Sequence, residues 1–233
     1  MTSVTIPNSV TSIRFNAFSG CNGLTAVNIT DIAAWCNINF DWYNSNPLYY
    51  AHNLYLNGEK VTDLVIPDGV TSIGSYVFKG GSGLTSVTIP NHITTIGESA
   101  FGSCWNLNSV TIGNSVENIG ADAFDCCSGL TEIYSLCITP PNTGWGNQFD
   151  SSFYSDNYQN ATLYVPQEAL DAYKVADEWK EFYNIQAIDP TGIKGIEMDE
   201  SGKSTVYYDL NGRRLNAPKK GLNIVNGKKV IVK

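Results

Sequence analysis

Apolar residues recur along this chain in a repeating file. In residues 84–106 they are Leu84, Val87, Ile89, Ile93, Ile96, Ala100, Phe101 and Cys104, with polar or small residues between them. Units that begin at Met1, Leu24, Val61, Leu84, Leu107 and Leu130 reproduce the file at intervals of 23, 37, 23, 23 and 23 residues. One unit therefore carries an insertion of 14 residues. Position 4 reads Val4, Val27, Leu64, Val87, Val110 and Ile133, and position 6 reads Ile6, Ile29, Ile66, Ile89 and Ile112. Position 13 gives Ile13, Ile73, Ile96 and Ile119, and position 18 is Phe18, Phe78, Phe101 and Phe124. Apolar residues two apart, flanked by polar ones, are the signature of a strand and not of an amphipathic helix.

A single unit of this length cannot bury its own apolar side chains, but units stacked as coils bury them against one another. The pattern predicts a mainly β solenoid, a leucine-rich-repeat stack of 23-residue coils whose strands pair in parallel about 4.8 Å apart. Pro7, Pro67 and Pro90 follow position 6 and end each strand, having no N–H to donate. Gly74, Gly97 and Gly120 are expected to let the chain bend. Asn22-Gly23, Ser82-Gly83 and Ser128-Gly129 supply the return turns.

The consensus LxxVxIPxxVxxIgxxAFxxCxx resembles the BspA-like leucine-rich repeats of bacterial surface proteins, over residues 1–137. That resemblance implies a curved binding or adhesion scaffold with no enzyme activity. It points to a surface for partners without naming the ligand.

Residues 31–60 depart from the period. Asp31 suits the N-cap of a short helix, and Asn57-Gly58 after Leu54-Tyr55-Leu56 reads as a hairpin turn. The segment is crowded with rings, among them Trp35, Trp42, Tyr43, Tyr49 and Tyr50. They form either an aromatic patch for sugar rings or a protein partner, or the small core that an insertion needs for itself. BspA-like proteins carry a similar AAWC…NPLYYA…LYLNG segment, which by that resemblance is a structural variant coil.

Residues 138–189 read as a last, loosened coil, a capping helix over about 167–183, and a final strand at Asn184–Ile188. Ala169, Ala172, Tyr173, Ala176, Trp179 and Tyr183 form the apolar stripe of that helix. Such a helix closes the apolar cross-section that a solenoid exposes at its end. Residues 193–233 predict three short antiparallel strands separated by Asn211-Gly212 and Asn226-Gly227 turns. The run YDLNGRRL…KGLNIVNGKKVIVK resembles the C-terminal sorting domains of Bacteroidetes proteins read by type IX secretion.

Composition narrows the function. Only 15% of residues are charged, and the charges are unevenly placed. Residues 1–200 hold six Lys or Arg against 21 Asp or Glu, whereas residues 201–233 hold eight against Asp209 alone. An acidic body argues against nucleic acid, whose phosphates need a basic face; the basic tail would attract anionic glycans only by general electrostatics. No apolar run approaches the ~20 residues of a membrane helix. The chain begins inside a coil without a secretory signal, so further coils and an export signal are expected upstream.

Candidate chemistry is sparse. His52 and His92 stand 40 residues apart, and no Cys or Ser is spaced to form a nucleophile–base set with either. The cysteines lack metal-binding spacing, and no EF-hand spacing of acidic residues is present. Cys104 and Cys127 fall in one core file, where buried free thiols are expected and a disulfide is the alternative. The outward strand positions, including Thr88, Thr111 and Tyr134, form a small, hydroxylated face that could serve a partner. The reading is a monomeric, non-catalytic surface or secreted scaffold that binds protein or carbohydrate at these threonine and aromatic positions. It needs no cofactor or metal. The competing readings are a spacer with no ligand of its own and, more remotely, a hydrolase with the aromatic insert as its cleft.

Overall fold

The computed structural model describes residues 1–144 and 151–188 in full, and beyond them only the backbone of short strands within 197–232. The coils stack in the expected register. Asp63–Val65, Ser86–Ile89, Ser109–Ile112, Glu132–Ser135, Thr162–Val165 and Asn184–Ala187 form one six-stranded parallel sheet. Leu64, Val87, Val110, Ile133, Leu163 and Ile185 lie in a single file across it. A second parallel ladder joins Ser72–Ile73, Thr95–Ile96, Asn118–Ile119 and Asn142–Thr143 on another side of the coils. Side chains enclosed between these ladders are excluded from water on every side. Val87, Ile89, Ile96, Phe101 and Cys104 are each at most 1% exposed, and burying each such side chain contributes roughly 1.5–3 kcal/mol.

A third file runs along the turn side. Phe78, Phe101, Phe124 and Phe153 stack with ring centroids 5.2–5.4 Å apart and planes within 11° of parallel. Phe78 N donates to the Ala100 carbonyl and Phe101 N to the Ala123 carbonyl, both at 2.8 Å, and Phe124 N donates to Ser152 at 2.7 Å. Each coil thus hands its amides to the next. Two residues beside this file, at positions 16 and 20, hold left-handed backbone wherever the coil is regular: Asn16 and Gly20, Tyr76 and Gly80, Ser99 and Ser103, Asp122 and Cys126.

Two of the position 14 glycines, Gly97 and Gly120, meet a constraint beyond the expected bend. A Cβ on Gly97 would lie 2.6 Å from Ser75 N, and one on Gly120 would lie 2.6 Å from Glu98 N. They are small because the backbones of successive coils meet there.

The insertion adds a rung of its own. Leu54–Leu56 pairs in parallel with Ala26–Ile29, which pairs with Ser3–Thr5. It then turns through Asn57 (φ 52°) and Gly58 (φ 84°) into the antiparallel strand Glu59–Lys60, a two-residue hairpin of the primed kind. The sheet ends at this hairpin, and the six-stranded sheet starts afresh at Asp63.

The C-terminal cap is not a continuous helix over 167–183. It consists of a 3-10 turn at Gln167–Ala169, one helical turn at Leu170–Tyr173, and a second 3-10 turn at Trp179–Glu181. Glu178 breaks it, with φ 63° and a fully buried side chain. The break shifts the phase, so Phe182 is buried while Tyr183 is 78% exposed. Trp179 and Phe182 meet the last phenylalanine, Phe153, edge-on at 5.5 and 5.3 Å, and so close the stack. Farther on, Arg214–Leu215, Tyr207–Tyr208, Gly221–Val225 and Lys228–Val232 form a four-stranded antiparallel sheet, one strand more than expected. Glu197–Met198 pairs separately with Ser204–Thr205. The Asn211-Gly212 and Asn226-Gly227 turns lie outside the described residues.

Candidate functional site

The aromatic insertion divides into a buried part and a surface part. Asp31 caps the helix Ile32–Cys36 by accepting from Ala33 N and Ala34 N. This turns Trp35 inward, where it is 1% exposed and packs against Phe40 at 5.4 Å. Trp35 is therefore a core residue and not a ligand contact. Its Nε1 donates to the Val77 carbonyl at 3.0 Å, and the fully buried Asn46 donates through Nδ2 to the carbonyls of Tyr76 and Val77. These side chains supply what a preceding coil would have donated to the phenylalanine file.

The remaining rings form a connected run at the surface. Trp42, 45% exposed, lies 5.9 Å from Tyr43 and 5.7 Å from Tyr76. Tyr43 meets Tyr49 at 5.2 Å and Tyr49 meets Tyr50 at 5.3 Å, both edge-to-face. Offset and edge contacts of this kind favour aromatic pairs by about 0.5–1.5 kcal/mol beyond area burial. The helical turn Leu48–Ala51 holds Tyr49 against the next coil, where Gly80 leaves no room for a Cβ: one would stand 2.6 Å from Tyr49 Cα. Lys79 lies with Nζ 5.8 Å from the centroid of the Tyr43 ring and donates to Ser99 Oγ at 3.1 Å. Among the described residues no carboxylate lies within 4.0 Å of its ammonium, unlike Lys174 and Lys180, which each pair with an aspartate. Farther along, His52 accompanies Trp105, 50% exposed, at 5.4 Å.

Tyr76, Lys79 and Trp105 come from regular coils and escape a reading centred on the insertion. A signal was present for each. Tyr76 stands where other coils have Asn16, Ser99 and Asp122, and Trp105 where they have Asn22, Ser82 and Ser128. Lys79 is one of only six basic residues before position 201. Tyr76 also donates to Glu98 Oε1 at 2.6 Å, and burial together with this bond pushes its phenol well above the usual range.

The strand face offers less than its sequence suggested. Thr88 and Thr111 are 8% and 9% exposed. Val65, Thr88, Thr111, Tyr134 and Tyr164 form one file, and neighbours a strand spacing away cover the flanks of each side chain. Tyr134 stacks on Tyr164 at 4.7 Å and 11°, outside the aromatic run of the insertion. Beside them Ser86 Oγ donates to Asp63 Oδ1 at 2.5 Å.

Cys104 and Cys127 are both free thiols, which corrects the disulfide alternative. Each donates back to the preceding coil, Cys104 to the Phe78 carbonyl and Cys127 to the Phe101 carbonyl, so the sulfurs point along the stack to backbone. Burial raises the Cys127 thiol and pushes Cys36 up to about 12; thiols held protonated are poor nucleophiles. His52 Nδ1 lies 3.0 Å from the Gly80 carbonyl and His92 Nε2 3.2 Å from the Pro67 carbonyl, so both rings bridge coils. Among the described residues no group of three or more His, Cys, Asp and Glu is placed to hold a metal, and no helix is long and apolar enough to cross a membrane.

The chain matches the BspA type leucine rich repeat region in six copies, over residues 1–40 and 51–165. Solved structures with which it shares similarity include a leucine rich repeat protein of T. pallidum, 23% identical, covering 59% of each chain with a TM-score of 0.39. Another is a leucine-rich repeat protein of Bacteroides ovatus, 21% identical, covering 81% of this chain and 42% of the other with a TM-score of 0.42. A third is a leucine rich cell surface protein of Faecalibacterium prausnitzii, 16% identical, covering 81% and 79% with a TM-score of 0.27. The chain thus spans less than two thirds of the length of the first two. No curated protein matches it.

Proposed function

Because the chain belongs to the BspA-type leucine-rich repeat family, we propose that it is a non-catalytic scaffold, displayed at the cell surface or secreted, that binds a protein or glycan. The observation that carries this reading is the aromatic run on the insertion: Trp42 keeps nearly half its surface in water while its neighbours fix its position. Rigid, partly exposed Trp and Tyr are the residues that dominate recognition surfaces. The run is built by residues 42–50, a segment that the repeat match passes over, so in this reading the ligand sits on the insertion and not on the regular coils. The basic tail, by its likeness to Bacteroidetes sorting domains, acts in this reading as an export address.

The test is an array of matrix proteins and glycans probed with the wild-type chain and with Trp42→Ala. The proposal expects at least one ligand that the variant loses while its unfolding midpoint stays within a degree or two. An array blank for both chains would leave the spacer reading in its place.

A further inference from the structure

We propose that the ligand of the aromatic run is a glycan bearing uronic acid units, its sugar face lying on Trp42 and its carboxylate paired with Lys79. This deepens the scaffold reading and rests on it. Two independent features lead to it. The first is the kind of apolar surface on offer. The exposed large apolar residues at the insertion and on the regular coil beside it are Trp42 and Trp105, both rings, whereas the exposed aliphatic side chains Ile138 and Val175 lie toward the C-terminal end. A protein partner seats aliphatic and aromatic anchors in a fully desolvated pocket. Flat ring faces left open to water instead match the C–H face of a pyranose, through the weak C–H contacts that aromatic faces accept.

The second feature is charge. Residues 1–200 are strongly acidic, yet Lys79 is placed at the run with no carboxylate within 4.0 Å among the described residues. Its Nζ is held over Gly102, 2.9 Å from where a Cβ would stand, and donates to Ser99 Oγ. The ammonium and the Trp42 ring both lie within 6 Å of the Tyr43 centroid. An ammonium fixed beside aromatic faces retains donors for an incoming anion, and a carboxylate that pairs with it gains a charge-assisted bond. A neutral sugar would use the rings and leave this cation unmatched. The surrounding acidic body opposes long polyanions, which favours a short acidic oligosaccharide.

Hexagalacturonate and its fully methyl-esterified form, which share one sugar backbone but differ in charge, are the probes, titrated calorimetrically against the full chain. The expected result is at least tenfold tighter binding of the acid. Lys79→Met, which keeps an unbranched apolar side chain without the charge, should remove about that tenfold preference and leave the ester unchanged; Trp42→Ala should weaken both. Lys79→Gln serves as a second charge-removing variant should Met lower the unfolding midpoint. Equal affinity for acid and ester, unchanged preference in both Lys79 variants, binding of neither sugar, or equally tight binding of polyglutamate would each overturn the inference. A protein ligand lost in Trp42→Ala, with hexagalacturonate silent, would overturn this inference alone and leave the scaffold reading standing.

Discussion

The indole Nε1 of Trp35 donates to the carbonyl of Val77 at 3.0 Å, across 42 residues of chain. Val77 is the counterpart of Ala100 and Ala123, whose carbonyls accept from the backbone amides of Phe78 and Phe101. A side chain therefore stands where a coil would be. The opposite end mirrors it. Glu178 Oε1 accepts from Ser152 N at 2.6 Å and from Phe153 N at 3.1 Å, amides that have no further coil to meet. The phenylalanine file is closed at both ends by buried polar side chains, because an orphaned buried backbone group costs about as much as a lost hydrogen bond.

Removing the N-terminal closure should be costly out of proportion to ring size. Trp35→Phe retains an aromatic ring but loses the donor, and a loss of about 2 kcal/mol in urea unfolding is expected, with Asn46 still bonded to Val77. Asn46→Ala removes one donor from each of the Tyr76 and Val77 carbonyls and strips Leu48 N of its side-chain acceptor, and should cost more.

At the other end, Glu178→Ala should destabilise by about 3 kcal/mol or more, since it orphans Ser152 N and Phe153 N and removes the acceptor of Tyr158 OH at 2.7 Å and Ser151 Oγ at 3.1 Å. Glu178→Gln keeps one acceptor and should lose about 1–3 kcal/mol. Equal losses for the two variants would mean that the acceptor oxygen is not what matters.

Glycines at different places should respond differently to the same substitution. Gly97→Ala brings a Cβ to 2.6 Å from the backbone of the preceding coil and should prevent native stacking. Gly20→Ala meets nothing within 4 Å and suffers only from its φ of +77°, a cost of about 1 kcal/mol. Circular dichroism melts of the two proteins distinguish them.

Alkaline pH should weaken the fold through Cys36. Its thiol rises from 9.0 to about 12 in the folded chain, first by burial and then by Asp31. Between those values the unfolded chain has lost a proton that the folded chain keeps, so stability is intact below pH 9 and declines as pH rises toward 12. By pH 11, two units above the unfolded value, this amounts to about 3 kcal/mol. Cys36→Ala should flatten the fall in unfolding midpoint between pH 8 and pH 11 relative to wild type.

Much of this molecule was legible because its core is periodic: a file such as Val87–Val110–Ile133 recurs at the coil length in sequence and in space. What breaks the period was harder to read. Phe153 follows Phe124 by 29 residues rather than 23, so its place in the stack was hidden behind a loop. Trp35 and Trp42 share a residue type and a neighbourhood, and only the Asp31 cap and the Val77 carbonyl decide that one is core and the other surface. The broken C-terminal cap is not legible in sequence, because an apolar stripe cannot show that Glu178, in its middle, adopts left-handed backbone to reach the end of a ladder. Lys79 and Tyr76 join the candidate site only through the stacking of a different coil on the insertion.

The most direct test of this architecture compares two phenylalanines that the repeat treats as equivalent. Phe101 is 0% exposed between Phe78 and Phe124, whereas Phe18 lies on the far side of the insertion and is only half-buried. In equilibrium urea unfolding, Phe101→Ala should lose about 3–5 kcal/mol and Phe18→Ala about 1 kcal/mol. Equal losses at the two sites would contradict a file that starts at Phe78 and is sealed there by Trp35.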